Sequence, residues 1–182
     1  MAEQTPRAFA RWRRGPDPGP GNAQIPEDGV CLSAFLLVTD PNDAHRVLVG
    51  HVDPAADWSR FGALGGDRLV RTAKRWMLPA SHLLEYEGPS EAARRIATEQ
   101  LERPDLPIPE PRVVSDAYAR PDAPGRHWDF HFLYRTTWPA GAPLRARPWT
   151  LLEFVDPRAV PASEFARSHD DILRFAGLLP SA

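Results

Sequence analysis

The chain has 182 residues, 42% of them hydrophobic, with 22 basic against 24 acidic side chains, a formal net charge of -2 and one cysteine. That length and apolar content suit one domain with a full core plus a short appendage, and the near-balanced charge gives no global attraction to nucleic acid or to a membrane surface. Cys31 alone excludes an internal disulfide and a four-cysteine zinc site, no run of about twenty apolar residues is present to span a membrane, and the expectation is a soluble protein of a reducing, cytoplasmic compartment.

Residues 1–28 hold Arg7, Arg11, Arg13 and Arg14, followed by Gly15-Pro-Asp-Pro-Gly-Pro-Gly21. Such a composition opposes regular structure and reads as a solvated arm, which leaves residues 29–182 as a single domain. Residues 30–39 are apolar on both alternating faces, the pattern of a central strand covered on two sides, and Cys31 within them reads as a buried core thiol. After the turn cluster at 40–43, residues 46–52 predict the returning strand of a hairpin. Residues 53–75 carry Trp58, Phe61, Gly62, Gly65 and Gly66 and read as an insertion with a helical turn near 67–74. No lysine followed by serine or threonine comes after these glycines, so they do not form a phosphate-cradling loop.

Residues 76–101 are the most informative stretch. They predict a short apolar strand ending at Pro79, a loop with His82, Glu85 and Glu87, and a helix opened by Gly88, Pro89 and Ser90. Ala92, Ala93, Ile96, Ala97 and Leu101 recur at helical spacing as its buried stripe. Glu91, Arg95 and Glu99 fall at i, i+4 and i+8, an arrangement that serves either as an exposed ladder worth about 0.2–0.5 kcal/mol per pair or as part of a metal site.

This stretch resembles the Nudix box, Gly-x5-Glu-x7-Arg-Glu-U-x-Glu-Glu-x-Gly-U with U a bulky aliphatic residue. Glu87 and Arg95 stand at the loop glutamate and helix arginine, a pair that in the family braces the loop against the helix and that a bidentate contact could keep here as architecture alone, and Glu99 stands at the first glutamate of the pair. Departures are Ser81 at the first glycine, Ile96 at the glutamate after the arginine, Ala97 at the aliphatic position, Gln100 at the second paired glutamate, and Glu102 and Arg103 at the closing glycine and aliphatic residue. The family's helix glutamates hold magnesium against a diphosphate. Here that face reads Ile96, Glu99, Gln100, and one carboxylate beside an isoleucine supplies little of the charge a hard cation requires.

Beyond a proline-punctuated connection, residues 112–119 predict a strand and 120–126 a turn. In residues 127–134 strict alternation sets Trp128, Phe130, Phe132 and Tyr134 on one face and His127, Asp129 and His131 on the other. Three readings of that polar row stand: a transition-metal site joined by His82, a ligand-contacting face, or an ordinary polar surface. Residues 149–155 predict a further strand, and 161–179 a closing helix broken near 168–170.

Over residues 29–179 the resemblance implies an α/β (α+β) fold, a Nudix-like α/β/α sandwich with a mixed sheet between helices. It implies catalytic roles for Glu99, Glu87 and Arg95, metal ligation by Glu99 and Glu87, and substrate contacts from His82, His127, Asp129 and His131. The cofactor expectation is magnesium, with manganese or no metal as alternatives. Three functions remain in view: a divergent hydrolase cleaving a nucleoside diphosphate linked to another moiety, with Glu87, Glu85 or Asp129 making up for lost carboxylates; a catalytically silent Nudix-like binding module; and a different metal chemistry using His82, His127, Asp129 and His131. In the first two, the partner is a nucleotide-like small molecule, with homo-oligomer formation left open.

Overall fold

Ten uncharged residues, Val30–Thr39, form strand β1, the axis around which the sheet is built. Its alternate side chains serve two cores, as expected of a strand covered on both sides. Ala34, Leu36 and Val38 join one cluster, and Phe35 and Leu37 join the other. The computed structural model describes residues 30–56, 58, 66–84, 86–119, 126–145 and 147–180. The predicted arm, Phe61, Gly62, Gly65, Glu85 and residues 120–125 lie outside the described residues.

The remaining elements are β2 (Val47–Val52), α1 (Gly66–Thr72), β3 (Ala80–His82), α2 (Pro89–Leu101), β4 (Arg112–Ala119), β5 (Arg126–Thr137), β6 (Trp149–Val155) and α3 (His169–Phe175). The sheet runs β4-β5-β1-β2-β6, with β3 paired to β1. β1 and β5 are parallel over their full register from Val30↔Trp128 to Thr39↔Thr137, whereas the other pairs are antiparallel. The sheet is therefore mixed. Helix α2 covers one face through Ala92, Ala93, Ile96, Ala97 and Leu101, and α3 covers the other through Ile172 and Leu173, which makes the expected three-layer sandwich.

The predicted hairpin takes a different form. β1 and β2 meet at Thr39↔Val47, and the segment before α2 runs between them: Met77 pairs with Gly50, and Ala80–His82 pairs with Phe35, Ala34 and Ser33 of β1. Pro79 does not end this strand, because a proline lacks only the donor. Its carbonyl still accepts the Leu36 N–H at 2.9 Å. His82 consequently stands in a strand and not in the loop. Gly50 is required where it sits, since a Cβ there would come within 2.6 Å of both the Leu151 carbonyl oxygen and the Trp149 ring.

The closing segment breaks where the sequence indicated. A 3-10 turn at Ala162–Glu164 gives way to Arg167 and Ser168, both left-handed at φ 56°, before α3 begins at His169. No helix among the described residues is long and apolar enough to cross a membrane.

Candidate functional site

Helix α2 opens at Pro89, whose missing N–H is no loss at the first turn. Its end is closed by Glu91, which reaches back to accept the Gly88 N–H at 2.7 Å. Ser90, expected to cap the helix, instead lies 3.3 Å from the Tyr134 hydroxyl and ties the helix start to β5. At the far end Glu102 is left-handed at φ 51°, and the Arg103 N–H closes on the Ala97 carbonyl at 2.8 Å. The backbone thus keeps the turn for which glycine is best suited, on a glutamate.

Arg95 lies across the loop before the helix and away from solvent. Its Nε donates to Glu87 Oε1 at 2.6 Å and its Nη2 to Glu87 Oε2 at 2.8 Å, a two-pronged ion pair. Nη1 reaches Ser81 Oγ at 3.1 Å, and Nη2 also reaches the His82 carbonyl at 3.0 Å. Glu87 Oε2 accepts the Leu84 N–H as well, at 2.8 Å. The two side chains are 8% and 11% exposed. Arg95 therefore belongs to a buried brace and not to an exposed ladder with Glu91 and Glu99, and Glu87 has both oxygens committed to the fold.

The helix positions that carry glutamates in the resembling pattern are likewise spent internally. Ile96 is fully buried in the core beneath α2. Gln100, 1% exposed, donates from Nε2 to the Ala80 carbonyl at 2.9 Å and accepts the Ala80 N–H on Oε1 at 3.2 Å. Glu99, half-buried, is the carboxylate that remains. Magnesium wants several oxygen ligands in octahedral array, and an alkyl group, an amide closed on a backbone unit and a carboxylate closed on an arginine do not fit that need. Among the described residues no group of three or more His, Cys, Asp and Glu side chains is placed to hold a metal ion.

The sheet separates the two halves of the predicted site. Ser81 pairs with Ala34 and faces α2, so its neighbour His82, paired with Ser33, faces the other way. Ser33 in turn pairs with His131, and Ser33 Oγ lies 3.2 Å from His131 Nδ1. His82, Ser33 and His131 form a row across three strands on the α3 side, where the His131 ring stands edge-on to Phe35 at 5.3 Å. In the next row Asp129 pairs with Cys31 and with Asp116. Asp129 and Cys31 are buried, and Asp116 is half-buried. His127 pairs through its backbone with Tyr118, and its side chain lies outside the description. The expectation that Asp129 would replace a lost helix carboxylate is corrected, because the sheet stands between it and α2. Ser33 and Asp116 carry no signal of their own in the sequence, because only the pairing of β1 and β4 with β5 brings them beside His131 and Asp129.

His169 joins this face. Fully buried, it accepts the Leu78 N–H on Nδ1 at 2.9 Å and sets its ring edge-on to Phe35. Burial, reinforced by the charges of Arg167 and His131, holds its pKa well below the usual histidine value, so the imidazole is neutral with its proton on Nε2. The unfolded chain then binds a proton at His169 that the folded chain refuses. The stability from the neutral form is complete above about pH 6.5 and is lost as pH falls below it, at no more than about 1.4 kcal/mol per pH unit. Urea unfolding between about pH 7.5 and about pH 5.5 should show this slope, and His169→Asn, which keeps an acceptor without a titrating ring, should flatten it.

No protein-family model matches the sequence, and no curated protein matches it. Among solved structures, the chain is similar to the E. coli dihydroneopterin triphosphate pyrophosphohydrolase, with a TM-score of 0.53 and 14% identity over 79% of this chain and 93% of that one. It is similar to the MutT protein from Methanosarcina mazei Go1, with a TM-score of 0.53 and 10% identity over 82% of this chain and 94% of that one. A MutT Nudix hydrolase from Burkholderia pseudomallei gives 0.53 and 12% over 81% and 98%. At such identities the likeness is one of fold.

Proposed function

Because this chain has the Nudix fold, we propose that it uses the scaffold to bind a nucleotide-like small molecule without hydrolysing it through the box. The observation that carries this reading is the fate of Gln100 and Ile96: the amide bonds both backbone groups of Ala80, and the alkyl chain is wholly inside the core. Hydrolysis of a phosphoanhydride needs charge aimed at the transferring group, and these side chains aim none. The tie between this loop and α2 is nonetheless kept in the pair Glu87 and Arg95. On the α3 side, His82, Ser33, His131 and Asp129 supply the donors and acceptors that orient a polar ligand.

The test is thermal stabilisation of the full chain by ADP-ribose, diadenosine tetraphosphate and an oxidised guanosine triphosphate, in excess chelator. Stabilisation by one or more of them, with the nucleotide recovered intact, is the expected result. Stabilisation by none overturns the proposal. A second reading, hydrolysis of a nucleoside diphosphate linked to another moiety, draws on Glu99, the half-buried carboxylate retained on α2. Magnesium- or manganese-dependent product release that is lost in Glu99→Gln would favour it.

A further inference from the structure

Beyond the core beneath α2, one face of the β4–β5 pair is left apolar and open. On that face Val113 stands opposite Phe132 and Ser115 opposite Phe130, with Trp128 next along β5. Phe132 packs against the core under the helix, whereas Phe130 and Trp128 join neither core. Trp128 is 40% and Val113 52% exposed, and the rings of Trp128 and Phe130 lie 5.2 Å apart at a tilt of 32°. Single exposed apolar side chains are ordinary, but a contiguous strip of them marks a contact surface. The strip does not offer the converging polar groups that orient a small ligand, since its hydroxyl, Ser115 Oγ, lies 3.4 Å from the Trp128 indole N–H and faces along the strip.

The chain itself brings an occupant to this place. β1 begins at Val30, whose register partner on β5 is Trp128, so residues 1–29 are joined to the domain beside the strip. They carry two aromatic side chains, Phe9 and Trp12, and between these and β1 comes the turn-forming run Gly15-Pro-Asp-Pro-Gly-Pro-Gly21, which suits a chain that must double back over the sheet it enters. We propose that Phe9 and Trp12 dock on the strip of Val113, Trp128 and Phe130, so that the N-terminal arm closes the open face of its own sheet. A tethered segment acts at an effective concentration on the order of a millimolar, an advantage that a second copy of the chain in dilute solution does not have. The proposal is independent of the nucleotide-like ligand, which is assigned to the polar row on the opposite face.

Fluorine NMR of the full chain labelled with 5-fluorotryptophan tests this, the Trp128 resonance being assigned by its loss in Trp128→Phe. Trp12→Ala, and more so Phe9→Ala with Trp12→Ala, should move the Trp128 resonance. Melts supply the second measurement: Trp12→Ala and Trp128→Ala should each lower the thermal midpoint by about 3–6 °C, and the two together by no more than the larger single loss, because residues in contact are not additive. A Trp128 resonance that stays in place in the double arm variant, or losses that simply add, overturns the proposal. So does a resonance that ignores the arm variants and moves with protein concentration, which assigns the face to a second copy, or one that ignores them and moves with added ADP-ribose, which assigns it to the ligand.

Discussion

Arg95→Ala is expected to lower the thermal midpoint by on the order of 10 °C, the largest effect of any single substitution considered. Breaking a buried ion pair from one side costs about 3–5 kcal/mol, because the surviving charge stays out of water. A chain of this size loses about 2–4 °C per kcal/mol. Here the surviving charge is Glu87, 11% exposed, left with the Leu84 N–H as a remaining donor. Ser81 Oγ and the His82 carbonyl lose their guanidinium partner in the same step. Arg95→Lys should recover less than half of the loss, since an ammonium cannot occupy both Glu87 oxygens in one plane while reaching Ser81. Circular-dichroism melts of the three proteins decide the matter, and a midpoint within about 2 °C of wild type for Arg95→Ala would show that the brace contributes nothing.

Gln100→Glu is expected to destabilise by about 2–4 kcal/mol at neutral pH, although it restores the residue type of the resembling box. The substitution sets an oxygen where Nε2 now donates to the Ala80 carbonyl at 2.9 Å, in a site 1% exposed. A protonated glutamic acid could still donate there, so burial raises the folded-state pKa above that of the unfolded chain. The folded state then binds more protons. The loss should be small below about pH 4.3 and should grow as pH rises through the carboxylate range. Denaturant unfolding at several pH values measures it, and a variant as stable as wild type at neutral pH would mean that Gln100 is not spent on the fold.

The layers were legible in the sequence because they follow from periodicity. β1 is apolar at every alternate position, and that doubling predicted a strand with a core on each side; β4, β6 and the stripe of α2 followed in the same way. Pairings that depend on distant segments were not legible. The parallel register of β1 and β5, and the entry of β3 beside β1, join residues far apart in the chain, and the order of strands in a sheet leaves no local trace. The candidate site divided for this reason. Alternation correctly separated His131 and Asp129 from Trp128 and Phe130, but which of those faces met α2 was fixed by the pairing of β5 with β1. Arg95 gave no sign of burial in its spacing, which from Glu91 and Glu99 suits an exposed ladder, and its brace with Glu87 was legible through the resemblance alone. Gln100 reads in sequence as a lost ligand, and only its approach to Ala80 turns it into a structural amide.

The central claim is that the helix face which grips a metal in the resembling pattern now grips the protein itself. The most direct test is the affinity of the wild-type chain for the stabilising nucleotide, measured in chelator and again in saturating magnesium, with the nucleotide analysed afterwards. The account predicts equal affinities and nucleotide recovered uncleaved. Binding that tightens tenfold with magnesium, accompanied by a cleaved phosphoanhydride, would contradict it.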